Sequence, residues 1–398
     1  MSDPIKNASS TDSVHAGTEQ TRPHNTLAPG IAQTATFTFA NTADLVQYMQ
    51  GHDKDPDREE YGRYGNPTVR ELEKRVAAIE GADDALAFSS GMAAITTAIF
   101  SLTQAGDHVV LFSDCYRRTR QFVSKTLAKF GVTNTQIPAG DIAALEAAIR
   151  PETRLVITES PTNPYLFCVD LERVTEVTKQ HRRVKVMIDS TFATPINYRP
   201  LKYGVDVVVH SATKYLGGHN DVLGGLVVGP SHLISLFREA RGVLGAVLDP
   251  HAAFLIGRGL KTLSLRIERQ NQTAFTLARL LEAHPKVERA FYPALESHPS
   301  HEVYKRQMHG AGGVISFIVK GGADAASRVV DGCKIAKIAP SFGGVETLID
   351  QPRYMSYFEL DEQQLAEVGI DPALIRLSVG VEDTDDIVAD VLGALDRA

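Results

Sequence analysis

Residues 205–225, VDVVVHSATKYLGGHNDVLGG, constrain this chain more than any other stretch. Val205, Val207, Val208 and Val209 form the apolar, β-branched run that a strand covered on both faces requires. The run breaks at His210-Ser211-Ala212-Thr213-Lys214 and enters a loop of Gly217, Gly218, His219, Asn220 and Asp221. An ammonium resists burial, so a lysine delivered to the end of a buried strand needs a compensating reason. Desolvation lowers a lysine's pKa and makes its amine a nucleophile toward aldehydes. The hydroxyls of Ser211 and Thr213, three and one residues ahead of Lys214, suit a phosphate held beside that amine. A lysine snorkelling out of a strand end beside two turn hydroxyls accounts for the same residues. Taken alone, the stretch admits both.

Four more apolar runs end in residues of ligand type. Ala85–Phe88 feeds Ser89-Ser90-Gly91-Met92 and then a helical stretch to Leu102. A strand, a small-residue turn and a helix start make an anion site, and Gly91 lets the backbone approach its guest. The turn has no GxGxxG spacing, so a dinucleotide is not its natural guest. The run in HVVLF delivers Tyr116 just past its end, where doubly wound sheets place ligands, although a tyrosine there is usually packing. Arg154–Thr158 leads to Asn163, and Val184–Ile188 to Asp189, which by itself reads as a turn former. Strands alternating with helical stretches predict a mostly parallel sheet with helices on both faces, an α/β fold.

The chain is long enough at 398 residues for more than one core. Residues 1–61 are polar and weakly periodic, which predicts an extended arm rather than a domain. Residues 62–262 form the large domain. From Leu263 the pattern changes to a long amphipathic helix ended by Pro285, then a strand at 313–319, and helices near 322–331 and 384–397. That predicts a smaller α+β domain over 263–398. At the arm's end, Tyr61-Gly62-Arg63-Tyr64-Gly65-Asn66-Pro67-Thr68 marks a turn, with Thr68 expected to cap the next helix. Arg63 is a forked donor suited to phosphate, and a solvated turn explains it equally. A net charge of −7 leaves no basic footprint for nucleic acid. Cys115, Cys168 and Cys333 are too few and scattered for a disulfide framework or a zinc site. With neither the apolar core of a signal peptide nor a spanning stretch, the chain is expected in the cytoplasm, without membrane partners.

The pattern SATKYLGGHNDVLGG resembles the lysine motif of the Cys/Met-metabolism family of enzymes dependent on pyridoxal 5'-phosphate (PLP), and further matches run from about residue 28 to about residue 385. The resemblance implies a PLP-dependent transferase, aspartate-aminotransferase-like fold, with Lys214 holding the cofactor covalently and Ser211 and Thr213 on its phosphate. It also implies that the amides of Gly91 and Met92 bind that phosphate. Tyr116 would stack on the pyridine ring and join in proton transfer, with Asn163 on the phenolate oxygen and Asp189 on the ring nitrogen. Tyr61 and Arg63 would reach the neighbouring subunit's phosphate, which makes the protein a homo-oligomer: a dimer with shared sites, assembled as a tetramer. Arg376, alone inside the apolar run LIRLSVGV, would bind the substrate α-carboxylate, with Ser341 and Asn163 beside it. An arginine there otherwise reads as half of a structural ion pair.

Within the family, the chain is most similar to the plant-type γ-synthases. Methionine γ-lyases carry a cysteine two residues after the stacking tyrosine, where this chain has Arg118. Other branches place a glutamate immediately before the loop serine, where this chain has Pro340, as plant-type synthases do. The expected activity is γ-replacement on an O-activated L-homoserine with L-cysteine, giving L-cystathionine. The alternatives are γ-elimination from cystathionine, methionine or another γ-substituted amino acid, and sulfhydrylation of O-acetylhomoserine. A non-catalytic binding protein on the same fold is a different class, against which Lys214, Asp189 and Arg376 together speak.

Overall fold

The computed structural model describes residues 7–18, 22, 25–53, 55 and 57–398. Seven strands build the larger sheet: β1 (Asp84–Phe88), β2 (His108–Phe112), β3 (Thr133–Ile137), β4 (Thr153–Glu159), β5 (Lys185–Asp189), β6 (Val207–Ser211) and β7 (Gly225–Gly229). Their order is β1-β7-β6-β5-β4-β2-β3. The pairs from β6 through β5, β4 and β2 to β3 are parallel, while β7 is antiparallel to both its neighbours. Two reversals restore direction, so β1 runs with β6. The C-terminal ends of β1, β2, β4, β5 and β6 therefore open onto one edge.

β2 and β7 are buried at every position, as their unbroken apolar runs require. The strand expected at Val205–Val209 starts two residues later and continues through His210 to Ser211, so the first of the two hydroxyls belongs to the sheet. β3 (TNTQI) lies on the sheet edge, largely uncovered and correspondingly polar.

Five strands build the smaller sheet: β8 (Val287–Phe291), β9 (Val314–Val319), β10 (Lys337–Ile338), β11 (Leu348–Asp350) and β12 (Leu374–Ser378), in the order β10-β11-β12-β9-β8. The helix Leu263–Ala283 leads from the larger sheet to the smaller one. Its buried Gln270 donates through Nε2 to the carbonyls of Gly344 and Val379, at 2.8 and 3.2 Å. That ties the loop before β11 and the end of β12 to one rigid support.

The N-terminal segment is not wholly extended. It carries two short helices, Ser10–His15 with a capping box on Ser9, and Thr42–Met49 capped by Asn41. The cap of the helix Pro67–Glu80 also differs from expectation. Asn66 accepts from Thr68 N–H at 2.9 Å and is the cap, with Pro67 in the first helical position, where its missing N–H costs nothing. The Thr68 hydroxyl instead meets the segment at residues 30–32, accepting from Ala32 N–H and donating to Gly30 O. Among the described residues, no helix is long and apolar enough to cross a membrane.

Candidate active site

Lys214 leaves the end of β6 and its Nζ lies 2.7 Å from Ser341 Oγ, which comes from the loop between β10 and β11. The ring of Phe342 lies 5.1 Å from the same nitrogen and 6.0 Å from the Arg376 guanidinium. Burial, with Arg376 as the nearby like charge, pushes the Lys214 amine down to about 8. The amine that the sequence singled out is thus partly buried and depressed.

The Ser341 loop reaches Lys214 by a close backbone approach. At Gly343 (φ +80°) a Cβ would stand 2.8 Å from the backbone nitrogen of Tyr215, so only glycine fits. Ser341 itself adopts φ +98°, an uncommon value for a residue with a side chain. Contacts hold it there: its hydroxyl meets Lys214, and its carbonyl accepts from Arg376 Nη2 at 3.3 Å.

Arg376, near the middle of β12, also donates through Nη1 to Asn163 Oδ1 at 3.2 Å. Its main partner is the buried carboxylate of Asp350 on β11. The site therefore brings together Lys214, Ser341, Arg376 and Asn163, from both sheets. Sequence reading missed Asp350 and Phe342. Asp350 is an acid in a short apolar strand near a lone buried arginine, and that was the available signal.

Asp189 ends β5. Its Oδ1 accepts from Thr191 N–H at 3.0 Å and from the Thr191 hydroxyl at 2.5 Å, and that hydroxyl in turn accepts from Ser211 N–H at 2.8 Å. Burial pushes the Asp189 carboxyl above its ordinary range, and the Thr191 donors oppose the push. Thr191 is a third residue that sequence reading passed over. Tyr116 follows β2 at the edge where the strand ends open, and it is 44% exposed. Its N–H donates to Glu159 at 2.6 Å.

The residues present fit a phosphorylated pyridine aldehyde. Ser90 caps the helix Gly91–Leu102 by accepting from Ala93 N–H, and the first-turn N–H groups at Gly91 and Met92 have no acceptor within the helix. A Cβ at Gly91 would stand 2.8 Å from Ser211 Cβ, so the cradle between helix start and strand end has room for backbone only. Thr213 Oγ1 accepts from Gly224 N–H at 3.1 Å, fixing the turn that presents the amine. A helix terminus and hydroxyls suited to phosphate, a half-buried carboxylate suited to a ring nitrogen and a depressed lysine suited to an aldehyde occupy one sheet edge. Tyr61 and Arg63 do not join this cluster. They line a separate cleft of about 470 Å³ with Gln33, Val247 and Asp249, where Arg63 donates to Gly242 O at 2.7 Å.

Known proteins are similar to the chain over nearly its whole length. The chain is 48% identical over 386 residues to cystathionine γ-synthase 1, chloroplastic, of Arabidopsis thaliana, covering 96% of this chain and 68% of that one. It is 40% identical over 397 residues to the L-methionine γ-lyase of Fusobacterium nucleatum, covering 98% and 99%. The crystal structure of metB from Corynebacterium glutamicum superposes with a TM-score of 0.90 at 37% identity, covering 98% of this chain and 97% of that one. The profile described as Cys/Met metabolism PLP-dependent enzyme matches residues 10–396. The chain belongs to that family: its cofactor is pyridoxal 5'-phosphate, and its chemistry is γ-replacement or γ-elimination in sulfur amino-acid metabolism.

Proposed function

We propose that the protein joins an O-activated L-homoserine to L-cysteine, forming L-cystathionine by γ-replacement. The observation that carries this reading is the 48% identity to a plant cystathionine γ-synthase, against 40% to methionine γ-lyase. Arg118, exposed two residues after Tyr116, supports it, because the γ-lyase cysteine is absent from that position.

Arg376 takes the α-carboxylate as a fork, and Asn163 and Ser341 fix the fork's plane. The amine of Lys214, freed when the substrate amine takes its place, would take the proton from Cα, hand it to C4' of the cofactor and, neutral again, take one from Cβ. Ser341 holds that amine within reach of both carbons. Bound PLP supplies the electron sink for the negative charge left at Cα. Asp189, with Oδ1 already occupied by Thr191, offers Oδ2 to the ring nitrogen and keeps it protonated. Tyr116 covers the ring face, and Gly91, Met92, Ser211 and Thr213 hold the phosphate. Loss of the Cγ substituent is then followed by addition of the cysteine thiol at Cγ, and Lys214 returns the protons to Cβ and Cα.

Identity to the methionine γ-lyase supports a second reading, γ-elimination, in which water replaces the thiol and 2-oxobutanoate and ammonia leave. Tyr61 and Arg63 complete the site of a partner subunit in a dimer, and two such dimers form a tetramer. The three cysteines are free, in keeping with a reducing compartment, the cytoplasm. The test is mass spectrometry of products from O-acetyl-, O-succinyl- and O-phosphohomoserine, with and without cysteine. Cystathionine as the main product supports replacement; 2-oxobutanoate in the presence of saturating cysteine overturns it.

A further inference from the structure

Glu159 is the last residue of β4 and Asp189 the last of β5, and they stand directly side by side in register. Neighbouring strands lie about 4.8 Å apart, and paired positions project from the same face. Both residues line one small enclosed void with Cys115, Thr119 and Met187. Glu159 is 3% exposed, and its Oε2 accepts the Tyr116 N–H at 2.6 Å. Tyr116 opens the helix Arg117–Gln121 with no side-chain cap of its own, so its backbone is fixed from a different strand by Glu159.

Two carboxylates this close, away from water, do not both ionise. Four charged or titratable groups besides Asp189 act on Glu159: Asp114 and the cation Arg120 from either side of Tyr116, the Cys115 thiol in the turn after β2, and the Tyr357 phenol from the segment after β11. The pair is unequal in donors. Asp189 receives two from Thr191, whereas Glu159 receives one, from Tyr116. Burial, with the Asp189 charge next, pushes the Glu159 carboxyl well above the carboxylate range.

We propose that Glu159 is a positioning residue that keeps its proton, anchors Tyr116 through the backbone, and leaves Asp189 as the single negative charge of the pair. One side chain thereby sets both the group over the cofactor's ring face and the charge state at its ring nitrogen, resting on the placements of Tyr116 and Asp189 proposed above. A charged Glu159 would drive a proton onto Asp189 and cost the ring its counter-ion.

The experiment compares the PLP-loaded wild type with Glu159→Gln and Glu159→Leu. It reads the pH midpoint of the bound cofactor's visible absorbance and the PLP dissociation constant. Glutamine copies a neutral carboxyl and still accepts the Tyr116 N–H, so the midpoint stays within about 0.3 units and the constant within about twofold. Leucine orphans that N–H, so the constant rises about tenfold or more. A midpoint lowered by about a unit in Glu159→Gln overturns the proposal, because it reveals a lost negative charge. Unchanged PLP affinity in a folded Glu159→Leu overturns it too; if that variant does not fold, Glu159→Gln decides alone. Asp189→Asn, measured alongside, separates the two levels: it lowers the midpoint if Asp189 faces the ring nitrogen, whatever Glu159 does.

Discussion

Asp350 and Arg376 stand directly opposite one another on the antiparallel strands β11 and β12, and their side chains form a buried ion pair. The arginine is 6% exposed and the aspartate 3%, so neither charge has water to fall back on. Desolvation works against both partners of such a pair, and if Arg376 takes a substrate carboxylate as proposed, Asp350 is what holds the guanidinium in place for it.

Removing one partner should therefore hurt more than removing both. Asp350→Leu leaves a buried, uncompensated guanidinium and is expected to cost roughly 3–5 kcal/mol of unfolding free energy in urea. The double variant Asp350→Leu/Arg376→Met should recover most of that stability while turnover stays lost. A double variant as unstable as the single one would show that the strands, and not the charge imbalance, carry the loss.

Lys214 should react as an amine of pKa about 8. Burial disfavours its charged form, so the neutral nucleophile accumulates as pH rises through 8 instead of through the ordinary value of 10.5. The rate at which cofactor-free protein takes up PLP covalently is expected to climb with pH and level off above about 8. Lys214→Ala should take up none and lose turnover by orders of magnitude. Stopped-flow absorbance across pH 6–10 checks this, and a rate still climbing steeply at pH 10 would contradict it.

Part of the proposed cofactor site was legible as candidates because those residues follow local apolar runs, while their roles came from the family resemblance. Asp189, Lys214, Tyr116 and Gly91 follow strands read from composition alone. The substrate half was less legible. Asp350 is 26 positions from Arg376 in the chain, and only the register of β11 on β12 makes them partners. Glu159 meets Tyr116 only because β4 pairs with β2, 43 positions away in the chain, whereas the Thr191 bond to Asp189 is local and has the form of an ordinary turn. β3 escaped because an edge strand needs no apolar run, and β7 because GLVVG merged with the glycine loop ahead of it.

Gly91→Ala tests the phosphate cradle by volume alone. The added methyl meets Ser211 Cβ at 2.8 Å and Ser211 Cα at 3.0 Å, both fixed by the end of β6. Helix start and strand end must separate, at a cost of about 1–3 kcal/mol. Equilibrium dialysis should show PLP bound about tenfold more weakly or worse, with the far-ultraviolet circular dichroism of the wild type. Wild-type affinity would mean that phosphate is not held between these two elements.

Tyr61 and Arg63 pose a geometric question that a pair of variants answers. Within one chain they line a cleft that shares no residue with the Lys214 cluster, and Tyr61 is 42% exposed. If they complete a partner's site, Arg63 and Lys214 of one chain belong to different active sites of the assembled protein. Each homodimer should be nearly inactive, since each of its sites lacks either the phosphate fork or the amine. In a mixed dimer both lesions fall in one site and the other is intact. Random reassembly of equal amounts makes half the dimers mixed, so about a quarter of all sites recover. Were Arg63 to act within its own subunit, every site in the mixture would keep one lesion. Turnover near a quarter of wild type, in a mixture shown by native mass spectrometry to have exchanged subunits, is the expected result, and no recovery would refute the shared site.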